Sequence, residues 1–122
     1  FETPAQEIAV FDEAPVTAQV ASLEDSLAQM DSDPDAYDRL IAAWMAGDTA
    51  ALVKDALAPL KTASPVLYTR LVSDRNAAWT QVLDQRLKGK GRTVVVVGVG
   101  HLLTADGAPA RLRALGYSVE GP

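Results

Sequence analysis

The stretch TVVVVGVGHLL, residues 93–103, constrains the fold more than any other part of the chain. Val94, Val95, Val96 and Val97 follow one another without a polar alternate, the pattern of a β-strand covered on both faces rather than one with a wet side. Such a strand cannot stand alone, because its amides need a ladder and its side chains need cover. The sequence offers one further extended candidate, YSVE at residues 117–120, reached through a short helix at residues 109–115 that Gly116 stops. The tail, residues 92–122, is therefore expected to form a β-α-β unit. The strands that would complete its sheet are expected from the rest of a larger α/β domain or from another copy of the chain.

Ahead of this tail the period is helical. Thr3, Pro4 and Gln6 make a capping-box start for a helix over residues 4–13. Pro15 restarts the chain, and Val16, Val20, Leu23, Leu27 and Met30 recur at three- and four-residue intervals. Asp33 and Pro34 supply a cap and a first position for a third helix that carries Tyr37, Leu40, Ile41 and Trp44 inward and stops at Gly47. Asp48 caps a fourth helix, ended near Pro59, and Ser64-Pro65 starts a fifth that runs to about Lys88 before Gly89 and Gly91. The expected fold class is α/β and predominantly helical: a single domain with helices over residues 1–91 and the β-α-β tail over residues 92–122.

Composition removes several functions. The 122 residues carry 11 Lys+Arg against 16 Asp+Glu, a net charge of -5, with no basic stripe to neutralise phosphates, so nucleic acid is not an expected partner. The absence of cysteine excludes disulfides and thiolate chemistry and leaves the compartment open. No apolar run has the ~20 residues needed to span a bilayer. The chain starts at Phe1, almost directly on a helix cap, as expected of a sequence processed or excised from something longer.

His101, the only histidine, falls just beyond the carboxyl end of the valine run, where open α/β sheets gather their ligands. Gly98 and Gly100 allow close approach of backbone or ligand there. A histidine satisfied by its neighbours is the plainer alternative. Nucleotide binding is not expected, because the G-x-G-x-x-G pattern begun by Gly98 and Gly100 ends in Leu103. On the helix around Trp79, Arg75 and Asn76 share the face of Val72, Trp79, Val82 and Leu83. A guanidinium and an amide on that face must be paired, for instance with Asp38 or Asp74, or must face a cleft. Glu2 is at least a favourable charge at a helix N-terminus. Asp31, Asp33, Asp35 and Asp38 form a solvated cluster without metal-ligand spacing.

Together, FETPAQEIAVFD at the start, DRNAAW in the middle and VVVVGVGHLLTADGAPARLRALGYSVE at the end resemble the C-terminal half of the TraB/GumN family, relatives of the Tiki metalloproteases and, more distantly, of erythromycin-esterase-like proteins. The resemblance implies an active site built from two Gly-x-x-His motifs, of which the second matches Gly98, Val99, Gly100 and His101. The first has no counterpart in a chain with one histidine. Glu2 matches the family's acidic position, and Arg75 and Asn76 match its Arg-Asn pair. What this implies is part of a metal-dependent hydrolase acting on peptide bonds, with zinc or manganese held by His101 and Glu2 and with Gly98 and Gly100 in the cofactor-binding turn. Arg75 and Asn76 would orient a carboxylate or stabilise an oxyanion. The resemblance also implies a periplasmic or secreted setting, and a partner in the missing N-terminal half or in a second copy of the chain. The alternative it allows is a non-catalytic helical interaction or regulatory domain, in keeping with the family's association with plasmid-pheromone shutdown and polysaccharide export.

Overall fold

The computed structural model describes residues 1–121, and all regular structure among them is helical. The elements are α1 (Pro4–Asp12), α2 (Val16–Ser32), α3 (Ala36–Ala46), α4 (Thr49–Leu52), a π-helical turn (Val53–Leu57), α5 (Ala58–Ala63), α6 (Pro65–Tyr68), a second π-helical turn (Thr69–Ser73), α7 (Asp74–Leu87), a 3-10 turn (Val99–His101) and α8 (Ala108–Ala114). The chain divides into two compact units, residues 2–70 and, together with Phe1, the residues from Leu71 onwards.

Within residues 2–70 the local signals act as their chemistry requires. The Thr3 hydroxyl accepts the Gln6 amide at 3.3 Å and the Gln6 side chain accepts the Thr3 amide at 2.8 Å, which closes the capping box. At the other end of α1 the Arg70 guanidinium donates to the carbonyl of Val10 at 2.9 Å, in the last turn where acceptors are left orphaned, and to that of Ala9 at 3.0 Å, which also accepts the Glu13 amide. Asp33 closes α2 and pairs with Arg39, whose hydrogen bond holds the Asp33 carboxyl below its usual range; it does not cap α3, whose first turn begins at Ala36. Gly47 ends α3 at φ +68°, a left-handed conformation open to glycine, and Asp48 accepts the Ala51 amide at 2.9 Å to start α4. Pro59 does not end the helix. The π-helical turn just ahead of it shifts the ladder register, which absorbs the missing N–H and lets helical structure run to Ala63. Leu52, Leu67 and Tyr68 are buried, whereas Val16, Val20, Leu23, Leu27 and Met30 along α2 and Tyr37, Ile41 and Trp44 on α3 are exposed.

The unit formed by Phe1 and the residues from Leu71 buries Val72, Trp79, Leu103 and Ala108 where α7, α8 and the 99–107 segment meet. Here the expected α/β class is overturned: among the described residues there is no strand, and the β-α-β tail is absent. Residues 93–98 have no regular structure, and Val94 and Val96 are 90 % exposed. Composition can favour a strand, but only a second extended segment offering its amides makes one. The segment expected to do so, residues 117–120, folds back on α8 instead. Its Tyr117 amide bonds to Leu112 O at 3.1 Å, and the Arg113 guanidinium takes the carbonyls of Val119 and Gly121 at 3.1 and 2.6 Å. The Tyr117 hydroxyl donates to Asp84 Oδ1 at 2.7 Å, while Lys88 bonds to Oδ2 of the same carboxylate, and the segment is thereby anchored to α7. The short helix itself is as expected, one residue early, with Gly116 at φ +92° behind it.

Candidate functional site

Arg75, Asn76 and Trp79 stand at positions i, i+1 and i+4 of the second unit's longest helix, α7, and therefore share one face. The helix turns that face toward the 99–107 segment. There the 3-10 turn, closed by His101 N to Gly98 O at 3.0 Å and Leu102 N to Val99 O at 2.9 Å, presents His101. His101 Nδ1 lies 2.9 Å from Asn76 Oδ1. The other end of the Asn76 amide, Nδ2, donates to the main-chain carbonyl of Asp106 at 2.8 Å. Asn76 is 0 % exposed, so both ends of its amide bond to protein groups and none of it faces solvent.

Trp79 forms the floor beside the histidine. Its ring lies 4.5 Å from the His101 ring, centroid to centroid and tilted by 49°, and Phe1 stacks on it at 5.6 Å. The Arg75 guanidinium lies 4.9 Å from the Trp79 centroid, a cation–π contact, and it donates to Leu71 O at 3.4 Å. Arg75 and His101 are both half-buried, as groups lining an edge are, while Trp79 is buried with no hydrogen-bond partner for its Nε1.

A tight loop supports the arrangement from behind. Gly107 N bonds to Thr104 O at 3.1 Å, and Arg111 Nε donates to the same Asp106 carbonyl at 3.0 Å that Asn76 uses. The Asp106 carboxylate receives the Ser73 hydroxyl at 3.4 Å and lies 3.8 Å from the Arg111 guanidinium. Thr104 is held at φ +70°, costly for a β-branched residue and a sign that the surroundings dictate the turn.

Of the residues singled out from sequence, Arg75, Asn76 and His101 therefore meet in one place. Glu2 belongs to the other unit, immediately before the Thr3 cap. Gly98 flanks His101 but has an ordinary backbone, φ −61° and ψ 142°, and a Cβ there would meet only His101 Cδ2 at 3.8 Å. Gly100 lies within the 3-10 turn. The glycine whose smallness is required is Gly107, where a Cβ would fall 2.5 Å from Leu103 O. The supporting roles of Trp79, Asp106, Gly107 and Arg111 did not emerge from sequence, although the Asp106-Gly107 dipeptide is a recognised turn signal.

A divalent metal can be set against these residues. A ligating imidazole characteristically gives its second nitrogen to a carbonyl or carboxylate, as His101 gives Nδ1 to Asn76. Among the described residues, however, no three His, Cys, Asp or Glu side chains gather as a metal would require. The described residues thus fit one imidazole ligand of such a site, not a complete set.

In comparisons with known proteins, no curated protein and no solved structure matches the chain. The family model described as TraB/PrgY/gumN matches it over residues 1–121.

Proposed function

From the premise that the chain belongs to the TraB/PrgY/gumN family, we propose that it is part of a hydrolase that cleaves peptide bonds. The observation that carries this reading is the cluster of Asn76, Trp79 and Arg75 around the single histidine. His101 is the group that binds or takes a proton at the reacting centre through Nε2. Arg75, over the Trp79 ring, faces the charge that develops on the carbonyl oxygen or a carboxylate of the substrate. Glu2 matches the family's acidic position. Zinc or manganese, when bound, would polarise the carbonyl and lower the pKa of a water. The family resemblance implies His101 and Glu2 among its ligands, completed by a further segment of the protein or by a second copy. Incubation of the full-length protein with a peptide mixture, followed by mass spectrometry of new termini, tests the reading. Discrete cleavage suppressed by a chelator supports it; an unchanged mixture refutes it.

A second reading, a helical interaction domain without catalysis, is favoured by the exposed apolar row Val16, Val20, Leu23, Leu27 and Met30. No helix of the described residues is long and apolar enough to cross a membrane. Sedimentation across a concentration range separates the cases. Association that Leu23→Lys abolishes, in a protein that cleaves nothing, supports the interaction reading.

A further inference from the structure

We infer that Asn76 is a positioning residue that fixes the tautomer of His101, with the proton on Nδ1 and the lone pair on Nε2, through a relay that begins at the main-chain carbonyl of Asp106. The argument runs along the hydrogen bonds. A carbonyl oxygen only accepts, so the Asn76 atom 2.8 Å from Asp106 O is the NH2 nitrogen. The amide oxygen must then be the atom facing His101 Nδ1 at 2.9 Å. That oxygen carries no proton, so the hydrogen between the two lies on Nδ1. The neutral ring is left with Nε2 as its only basic nitrogen, the reverse of the tautomer that free imidazole side chains prefer. No solvent exchange relaxes this choice, because Asn76 is 0 % exposed, and the opposite tautomer would set two lone pairs against each other in a buried place.

The first link of the relay is itself held. Arg111 Nε donates to the Asp106 carbonyl at 3.0 Å, and the loop around it is locked by Gly107 N to Thr104 O at 3.1 Å. Asn76 does not reach a substrate, since both ends of its amide are engaged; it acts through His101. The consequence for chemistry rests on the hydrolase reading, in which Nε2 is the atom that reacts, but the tautomer itself does not depend on it.

The chain has one histidine, so its imidazole can be read without assignment. In protein labelled with 15N-histidine, at a pH where the ring is neutral, long-range proton–nitrogen correlation should show a protonated Nδ1 and an unprotonated Nε2, with the Nδ1 proton slow to exchange. A protonated Nε2, or two averaged nitrogens, overturns the inference. Asn76→Ala should release the ring to the averaged or Nε2-protonated form, and a spectrum unchanged from wild type also overturns it. If that variant does not fold, the wild-type spectrum decides alone. Asp106→Ala keeps the main-chain acceptor and should leave the tautomer as it is; loss of the Nδ1 proton in that variant would contradict the relay. A fixed Nδ1–H tautomer in a protein that cleaves no peptide would sink the hydrolase reading and leave this one standing.

Discussion

Replacement of Gly107 by alanine tests whether the loop behind His101 is as tightly built as its contacts indicate. Its backbone, φ −66° and ψ 153°, suits any residue, so the difficulty is space. The new Cβ would lie 2.5 Å from Leu103 O and 3.0 Å from Leu102 C and O, all backbone atoms with no rotamer to escape into. To reach the ~3.5 Å of an ordinary contact, the 102–103 backbone must retreat by about 1 Å. Forced displacement of this kind costs about 2–3 kcal/mol. The reduced freedom of the unfolded chain offsets about 0.5 kcal/mol of that. The net loss is about 2 kcal/mol. Gly98→Ala is the control, since its Cβ meets one ring carbon at 3.8 Å in an unstrained backbone, and a gain of about 0.5 kcal/mol is expected. In a Trp44→Phe background the remaining tryptophan, Trp79, reports on its own unit during urea unfolding. With a slope of about 1–2 kcal/mol/M, Gly107→Ala should lower the midpoint by about 1 M or more. An unchanged midpoint for Gly107→Ala, or an equal loss for both variants, would refute the reasoning.

Thr104→Asn should raise the same midpoint by the equivalent of about 0.5–1 kcal/mol, because asparagine tolerates φ +70° and a β-branched residue does not; a lower midpoint would show that the Thr104 hydroxyl, which accepts the Asp106 amide at 3.4 Å, matters more than the strain. The Asp84 carboxyl is held below its ordinary value of 3.8 by hydrogen bonds from Lys88 and Tyr117, so its stabilisation is complete above that value and is lost as the pH falls through the lower folded one. Tyr117, whose pKa is raised by its bond to Asp84, stabilises fully below its ordinary value of 10.0 and ceases to as the pH rises through the folded one. Asp84→Asn should therefore flatten the urea midpoint against pH on both limbs, and parallel profiles for variant and wild type would contradict this. Calorimetric titration of this chain with zinc and with manganese should give weak binding, because no three ligating side chains gather among the described residues; tight stoichiometric binding would show that the ligand set is complete within it.

The helices were legible where a single local contact decides them. Thr3 with Gln6, Asp48 with Ala51 and Gly47 at the end of α3 are short-range devices, and they act where the sequence places them. The register of α7 is a matter of geometry alone, so Arg75 and Asn76 fall beside Trp79 as their spacing requires. The strands were not legible, because a strand belongs to a pair: Val94 to Val97 has the composition without a partner, and the carbonyls of Val119 and Gly121 are taken by Arg113. Pro59 misled for a similar reason, since the π-helical turn just ahead of it decides whether it breaks the helix. The relay behind His101 was out of reach because its first acceptor is a main-chain carbonyl, which no residue type announces.

The central proposal, that His101 and Arg75 serve one hydrolytic reaction, is tested most directly by a double-mutant cycle on peptide cleavage, with the wild-type protein, His101→Ala, Arg75→Gln and the double variant. Each single substitution is expected to lower kcat/KM by about 100-fold or more. Residues that act as a unit are non-additive, so the double variant should be no slower than the worse of the two. Full activity in either single variant, or losses that multiply in the double one, would contradict the account.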